Sequence, residues 1–459
     1  APAVSDAETV RISGSSTIGA RLMPQLIRDY ASTIGAFVAP GAAESDSGDL
    51  AMPLAMGGQT LINFELARSG TASVFADLAA GKAAIGMSSR PANERDLSTL
   101  AAAGLARMNE RSREHIIGLD GIAVLVSPQN KVTALSRDEL AGIFSGEIRD
   151  WSEVGGDDGP IDVYARDEAS GTFETFDAVI LKPGGRRLLA EAKPSASDAD
   201  LAAKIAGDPN GIGFASFAQK QLARPVAIRD SCGLTHAPSE FGVKAREYPL
   251  ARNLYLYTGR SANEHVAGLV DFALSPAADI RLEELGFLDR SISSAPYEDF
   301  HDLVAHALEA APNDFDIDLM RQLQKDLGAG KRLSVMVRFE KRSEHPDDES
   351  LAALGRVAAH LGQQTLDGRK LVVAGFSDTS GQFDRNRDLS YKRAAGVRDL
   401  LVPSLSGMMK PEDIEVRGYG ELMPVACNDS EAGREKNRRV EIWLVPTERA
   451  RPVVLIKQL

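Results

Sequence analysis

The stretch LVVAGFSDTSGQFDRNRDLSYKRAAGVR at 371–398 constrains the fold most. Leu371, Val372, Val373 and Ala374 form an apolar run that ends at Gly375 and Ser377, which predicts a buried strand handing over to a polar turn. Asp378 stands at the strand exit. Leu389, Arg393 and Val397 then recur at helical spacing with Ser390 near the start, so Arg393 sits about one turn into an amphipathic helix. A carboxylate and a planar guanidinium held on two rigid elements make a receptor for a zwitterion, the acid taking an ammonium and the arginine a carboxylate. An ordinary salt bridge fits the same pair, and this stretch alone leaves both open.

More of the pattern follows downstream. Asn386 lies between the acid and the arginine. LS-x-x-RA runs through Leu389, Ser390, Arg393 and Ala394, RGYGE-x-x-P spans 417–424, and N-x-x-x-x-GR-x-x-NRRVEI spans 428–442. This collinear set resembles the OmpA-like peptidoglycan-binding domain, over residues 331–448, opening with a strand at Leu333 to Phe339 and a helix around Leu351 to Leu361. The resemblance implies an α+β domain in which Asp378 and Arg393 clasp the diaminopimelate of a cell-wall peptide, helped by Arg438, with Asn386 in the same site. Ser377 stands where that family usually has threonine, and is expected to keep the hydroxyl's role.

The remainder of the chain is long enough for further domains. With 459 residues, two or three cores are expected. A net charge of −13 argues against a nucleic-acid partner, because phosphate backbones are bound by basic surfaces. The longest apolar candidate for a membrane span, IIGLDGIAVLV, is broken by Gly118 and Asp120, so no crossing is expected. Ala1 and the small residues after it read as what remains after a signal segment is removed, which suits an exported protein. Of the two cysteines, Cys232 and Cys427, a bridge would clamp two domains together; two buried free thiols are the expectation. Seven histidines without H-E-x-x-H or a Cys/His cluster predict neither metal nor cofactor.

The amino-terminal two thirds repeats one local arrangement. Val10 to Ser13 reads as a strand, Gly14-Ser15-Ser16-Thr17-Ile18-Gly19 as a small polar loop, and Leu22, Leu26, Ile27 and Tyr30 as a helix face. Such a turn aims backbone N–H groups, hydroxyls and the positive end of a helix dipole at one spot, which suits a tetrahedral anion; a plain helix cap has the same sequence. Ser69-Gly70-Thr71, then Met87-Ser88-Ser89-Arg90-Pro91, then Arg166 with Ser170-Gly171-Thr172 repeat it. Four such segments with one arginine can enclose a dehydrated oxyanion using neutral dipoles, which explains how an acidic chain holds an anion. Glu168 is expected to orient Arg166.

These segments resemble the PstS-type periplasmic phosphate-binding proteins over residues 8–285. G-S-S-T at 14–17, G-T at 70–71, IGMSSRP at 85–91 and R-D-E-A-S-G-T at 166–172 match the four phosphate loops. DGIAVLVSP, LSRDELAGIFSGEIRDWSEVGG, GDPNGIGFASFA and YPLARNLYLYT also fit. The resemblance implies a two-lobed α/β periplasmic binding protein of type II, closing by hinge motion, with Ser16, Thr17, the N–H of Ile18, Thr71, Ser89, Arg166, Ser170, Gly171 and Thr172 at the ligand. Several phosphate-specific members carry a proton-accepting aspartate at the position of Ser89. A hydroxyl both accepts and donates, so phosphate stays acceptable while rejection of sulfate weakens. Arg90 either reaches the anion or pairs on the surface. Gly41 to Gly58 reads as an inserted loop.

The expected organisation is therefore an oxyanion-binding domain at 1–285, a helical connector at 286–330 that docks on one lobe with a hinge at Gly328 to Gly330, and an OmpA-like domain at 331–459. The connector carries Leu303, Ala307 and Leu308, then Ile317, Met320, Leu323 and Leu327 at helical spacing. The expected function is capture of inorganic phosphate or a related oxyanion in the periplasm of a Gram-negative type of envelope, tethered to peptidoglycan, with an ABC transporter or a sensor as a further partner. A cell-wall scaffold that transports nothing is the alternative. A serine hydrolase is less favoured: there is no G-x-S-x-G, and no histidine neighbours Ser15, Ser16 or Ser170 in sequence.

Overall fold

A computed structural model describes residues 7–40, 43–44, 48–105, 113–167, 170–220, 222–261, 263–300, 303, 305, 316–339, 345–346, 348–363, 366 and 368–447. The chain divides into two compact units, Ala1–Ala227 with Pro249–Arg290, and Ile228–Tyr248 with Ser291–Leu459. No helix among the described residues is long and apolar enough to cross a membrane.

The first unit is organised by one strand, Glu114–Val126, which contains the apolar run IIGLDGIAVLV. Its residues from Ile117 onward are buried on both faces, as a strand covered by helices on either side requires. The early half pairs antiparallel with Ala251–Thr258, and the late half, from Ile122, pairs antiparallel with Gly211–Ser216. The strand therefore passes from one lobe into the other at Gly121 and Ile122.

In the first lobe, Thr9–Gly14 lies between parallel partners Gln59–Ala67 and Ile85–Ser88. Helix Met23–Thr33 buries Leu26, Ile27 and Tyr30 in a core with Ile12, Phe64 and Met87. In the second lobe, Gly211–Ser216 pairs parallel with Asp162–Ala165, and helix Asp198–Gly207 covers that sheet with Leu201, Ala202 and Ile205. Phe144, Phe176 and Phe214 stack together, Phe176 on Phe214 at 4.0 Å between centroids. Each fully buried ring contributes about 2 to 3 kcal/mol.

The expected insertion at Gly41 to Gly58 is largely a hairpin. Leu50–Met56 pairs antiparallel with Gln59–Ala67 through a turn at Gly57 and Gly58, both with positive φ. Apolar residues on both faces of LAMPLAM hid the strand alternation. Residues 41–42 and 45–47 lie outside the described residues.

Among its described residues the second unit holds a five-stranded sheet in the order Ser294–Pro296, Lys331–Arg338, Arg439–Pro446, Arg369–Gly375, Ile414–Gly418. Leu371 and Val373 face helices Asp348–Gly362 and Phe383–Leu401, while Val372 and Ala374 face a second core containing Trp443, Phe376 and Tyr419. That explains the uninterrupted apolar run. Helix Ile317–Leu327, expected to dock on a lobe, instead buries Leu319, Met320, Leu323 and Leu327 in this second core. Leu303 packs against the same core, and Ala307 and Leu308 lie outside the described residues.

Segment Ile228–Tyr248 belongs to this unit and corrects the reading of the cysteines. Cys232 and Cys427 form a disulfide, and both lie in the second unit, so the bridge closes one unit and clamps no pair of domains. A separation of 195 residues concealed the return of the chain. The same segment supplies Glu247, which pairs with the fully buried Arg332; Arg332 also meets Glu441 at 3.2 Å, and Arg439 reaches Glu441 at 2.7 Å. Burial would raise the Glu441 carboxyl, but the charges of Arg332 and Arg439 outweigh it and hold it below the usual range. Phe241 and Phe300 lie against the Arg332 guanidinium.

Thiol titration of unfolded, unreduced protein is expected to find no reactive cysteine, and two after reduction. Cys427→Ser should lower the stability of the second unit by about 2 to 4 kcal/mol, read as a lower calorimetric midpoint for its transition.

Candidate functional site

The four small polar segments converge within the first unit. At the exit of Thr9–Gly14, the N–H of Ser15 donates to the Met87 carbonyl at 2.7 Å, and the buried hydroxyls of Ser15 and Ser89 bond each other at 2.6 Å. Ser89 follows strand Ile85–Ser88, and its N–H donates to Thr71 Oγ1 at 3.3 Å. Thr71 begins a short turn after Gly70, whose N–H donates to the Gly14 carbonyl at 2.9 Å. From the second lobe, Ser170 caps helix Gly171–Phe176, its hydroxyl accepting from the Thr172 N–H at 3.2 Å. A β-carbon added at Gly171 would lie 3.0 Å from Ser89 Oγ and 3.3 Å from Thr71 Oγ1, so a side chain at 171 would crowd the two hydroxyls of the facing lobe. Ser16 and Thr17 are half-buried, and Ile18 is fully buried.

Arg166 stands at the end of strand Asp162–Ala165 with its side chain 12% exposed, and its Nη1 donates to Asp198 Oδ1 at 2.6 Å. Its buried Nε has no hydrogen-bond partner among the described residues. Glu168, expected to orient it, lies outside the described residues. Asp198 also accepts from the Thr172 hydroxyl at 3.0 Å and the Ser216 N–H at 2.8 Å. Arg90 donates to Asp96 at 2.5 Å and Glu174 at 2.7 Å, so its guanidinium is committed to two carboxylates.

A second cation escaped the sequence reading. Arg252, 6% exposed, donates through Nε and Nη2 to Asp120 Oδ2 at 3.0 and 2.6 Å, and Asp120 also accepts from the Ser216 hydroxyl at 2.7 Å. Burial pushes the Asp120 carboxyl up, against the charge of Arg252 and the hydrogen bonds from Ser216 and Arg252. Both residues lie inside quoted motifs, DGIAVLVSP and YPLARNLYLYT, and a charge inside a buried apolar run was the available signal.

The hydroxyl protons left over decide what this arrangement can hold. Thr71 accepts from a backbone N–H, Ser170 from another, and Thr17 Oγ1 from Arg252 Nη2 at 3.3 Å, so each keeps its own O–H to donate elsewhere. Thr172 differs: its proton goes to Asp198. The Ser15–Ser89 pair shares one proton and keeps one to donate, and reverses if Ser89 must accept. Arg166 with Asp198 and Arg252 with Asp120 balance in charge. A small oxyanion here would be held by directed donors more than by net positive charge.

The second unit presents the other expected cluster. Asp378, buried after strand Arg369–Gly375, accepts from the Ser380 N–H at 2.7 Å and from Arg438 Nη1 at 2.8 Å. Arg438 also reaches Glu431 at 3.0 Å. Asn386 donates to the Asp378 carbonyl at 3.2 Å and to Glu421 at 2.6 Å. Arg393 is buried on the same helix as Asn386, its guanidinium 5.1 Å from the Phe339 ring centre. Burial alone would raise the Asp378 carboxyl, but the hydrogen bonds from Arg438 and Ser380 and the Arg438 charge hold it below the usual range. Glu421 and Glu431 were not singled out from sequence, because their partners are distant along the chain.

The PBP superfamily domain model matches residues 28–277, more than half of the chain. The chain belongs to the PBP superfamily. The OmpA family model matches residues 338–438 of this superfamily member. A phosphate-binding protein PstS of Borreliella burgdorferi is 25% identical over 189 residues, 39% of this chain and 67% of that protein. The protein SphX of Synechococcus elongatus is 29% identical over 240 residues, 50% of this chain and 69% of its own length. Among solved structures, an ABC-type phosphate transport receptor from Vibrio cholerae has a TM-score of 0.45 at 22% identity, covering 61% of this chain and 99% of that one. A peptidoglycan-associated lipoprotein from Burkholderia pseudomallei has a TM-score of 0.22 at 28% identity, covering 24% and 88%.

Gly171→Ala separates site from fold. Position 171 opens the helix, where alanine gains little over glycine, and an added methyl must push the Ser89 and Thr71 hydroxyls aside. The expected outcome is a melting midpoint close to that of wild type with oxyanion affinity reduced about tenfold by calorimetry.

Proposed function

We propose that the protein is a periplasmic solute-binding protein that captures inorganic phosphate or a similar tetrahedral oxyanion and is held non-covalently to peptidoglycan by its carboxy-terminal domain. The observation that carries the first half is the packing of Gly171, from the second lobe, against the hydrogen-bonded Ser89 and Thr71 of the first. Ser16, Thr17, the N–H of Ile18, Ser170 and Thr172 complete the proposed cradle, Thr172 through its position at the helix start, and Arg166 supplies the cation. The relatives named phosphate-binding proteins support the choice of ligand. The Ser15–Ser89 hydroxyl pair supports acceptance of both hydrogen phosphate and fully ionised oxyanions.

For the second half, Asp378, Asn386, Arg393 and Arg438 are the proposed wall-peptide contacts, with a diaminopimelate ammonium taken by Asp378 and its carboxylate by arginine. A transporter of the ABC class or a sensor receiving the loaded form, in a Gram-negative type of envelope, belongs to the same reading. The Ser15 hydroxyl bonds a serine rather than an imidazole, which favours a receptor over a serine hydrolase.

Titration calorimetry with phosphate tests the reading: stoichiometric binding without turnover of phosphoesters is expected, and Arg166→Ala should cost about 2 to 5 kcal/mol. No heat and no thermal shift with phosphate, sulfate or arsenate would leave a wall scaffold as the better account. Purified peptidoglycan should retain the wild type and release Asp378→Ala. Because the Asp378 carboxyl is held below the ordinary value, the paired form persists above about pH 4 and is lost only as pH falls through its lowered pKa. Retention should therefore stay flat from about pH 7 to about pH 5 and fall only in stronger acid.

A further inference from the structure

Arg252 sits where strand Glu114–Val126 leaves one lobe for the other. Its register partner on that strand is Asp120, the last residue before the handover at Gly121 and Ile122. Two donors fix the guanidinium plane on Asp120. The remaining hydrogens point both ways: the second one on Nη2 lies between Thr17 Oγ1 of the first lobe at 3.3 Å and Thr172 Oγ1 of the second at 3.2 Å, while Nη1 donates to the Gly171 carbonyl of the second lobe at 2.7 Å.

We infer that Arg252 is a closure strap, a positioning residue that bonds both walls of the cradle at once and so sets how long a captured oxyanion stays. Asp120 belongs to the strand common to both lobes, so Arg252 stays with the hinge when the lobes part. Its planar fork then keeps Thr17 or the Gly171 and Thr172 pair, but not both. Opening therefore breaks hydrogen bonds to a buried charged donor, which slows release and leaves the encounter step unaffected. The rim pair Arg90–Glu174 also joins the lobes, but both side chains are about a quarter exposed and the pair is correspondingly weak.

This inference rests on the oxyanion-binding reading, so its test separates the two. In the full chain, stopped-flow kinetics with inorganic phosphate are compared for wild type, Arg252→Lys, and the double variant Asp120→Asn with Arg252→Gln, which leaves no orphaned carboxylate. Dissociation should accelerate about tenfold in the double variant and less in Arg252→Lys, with association within about threefold of wild type. Dissociation within about twofold of wild type in a folded double variant overturns the strap. A wild type that binds no phosphate overturns the oxyanion reading instead, and the strap is then judged by distance. Spin labels on Lys82→Cys and Glu191→Cys, exposed positions on opposite lobes, should report a wider separation in the double variant. An unchanged distance distribution overturns the strap in that case as well.

Discussion

The proposed oxyanion cradle depends on two ion pairs that cancel. Arg166 against Asp198 and Arg252 against Asp120 place two cations beside the converging loops without leaving excess positive charge. Burying either cation alone would carry a large desolvation penalty. With the charges balanced, the loops can end in hydroxyls and amides whose orientation is fixed by what they accept. The carboxylates thus act as scaffolding: they hold the guanidinium groups in place and, through Ser216 and Thr172, tie the loop ends to the sheet.

What was legible in the sequence was local. The turns at Ser15 to Ile18, Thr71, Ser89 and Ser170 to Thr172 carry their signal in a few adjacent residues, and the structure brings Ser89, Thr71 and Gly171 together. Asp378 was legible as the acid at a strand exit, whereas Asn386 and Arg438 were legible only through the resemblance to the OmpA-like domain; the three are joined by hydrogen bonds. What was missed is non-local. Asp120 and Arg252 are 132 positions apart, and Arg166 and Asp198 are 32 apart. Nothing in the neighbourhood of either acid announces its partner. Periodicity correctly predicted a helix at Ile317–Leu327 but could not say which core would receive it.

The sheet of the second unit shows how one apolar run serves two cores. Alternate residues of Arg369–Gly375 feed opposite faces, so Leu371 and Val373 need the long helices while Val372 and Ala374 need Trp443 and helix Ile317–Leu327. Tyr297 and Phe300 pack on Trp443, and helix Ile317–Leu327 adds Leu319, Met320, Leu323 and Leu327 to the same core. Asp378 lies just beyond the strand packed from both sides, and its position is correspondingly well fixed.

Segment Ile228–Tyr248 interrupts the first unit and is counted with the second. The two units thus alternate along the chain, and each has its own core. No single cut yields both intact: a fragment ending near residue 290 would strand Cys232 and Glu247 without partners, and one beginning there would leave Arg332 short of a carboxylate and Cys427 unpaired. During synthesis, the 228–248 stretch emerges well before the sheet that receives it. Completion of the second unit therefore waits on the far end of the chain, whatever the first has already become.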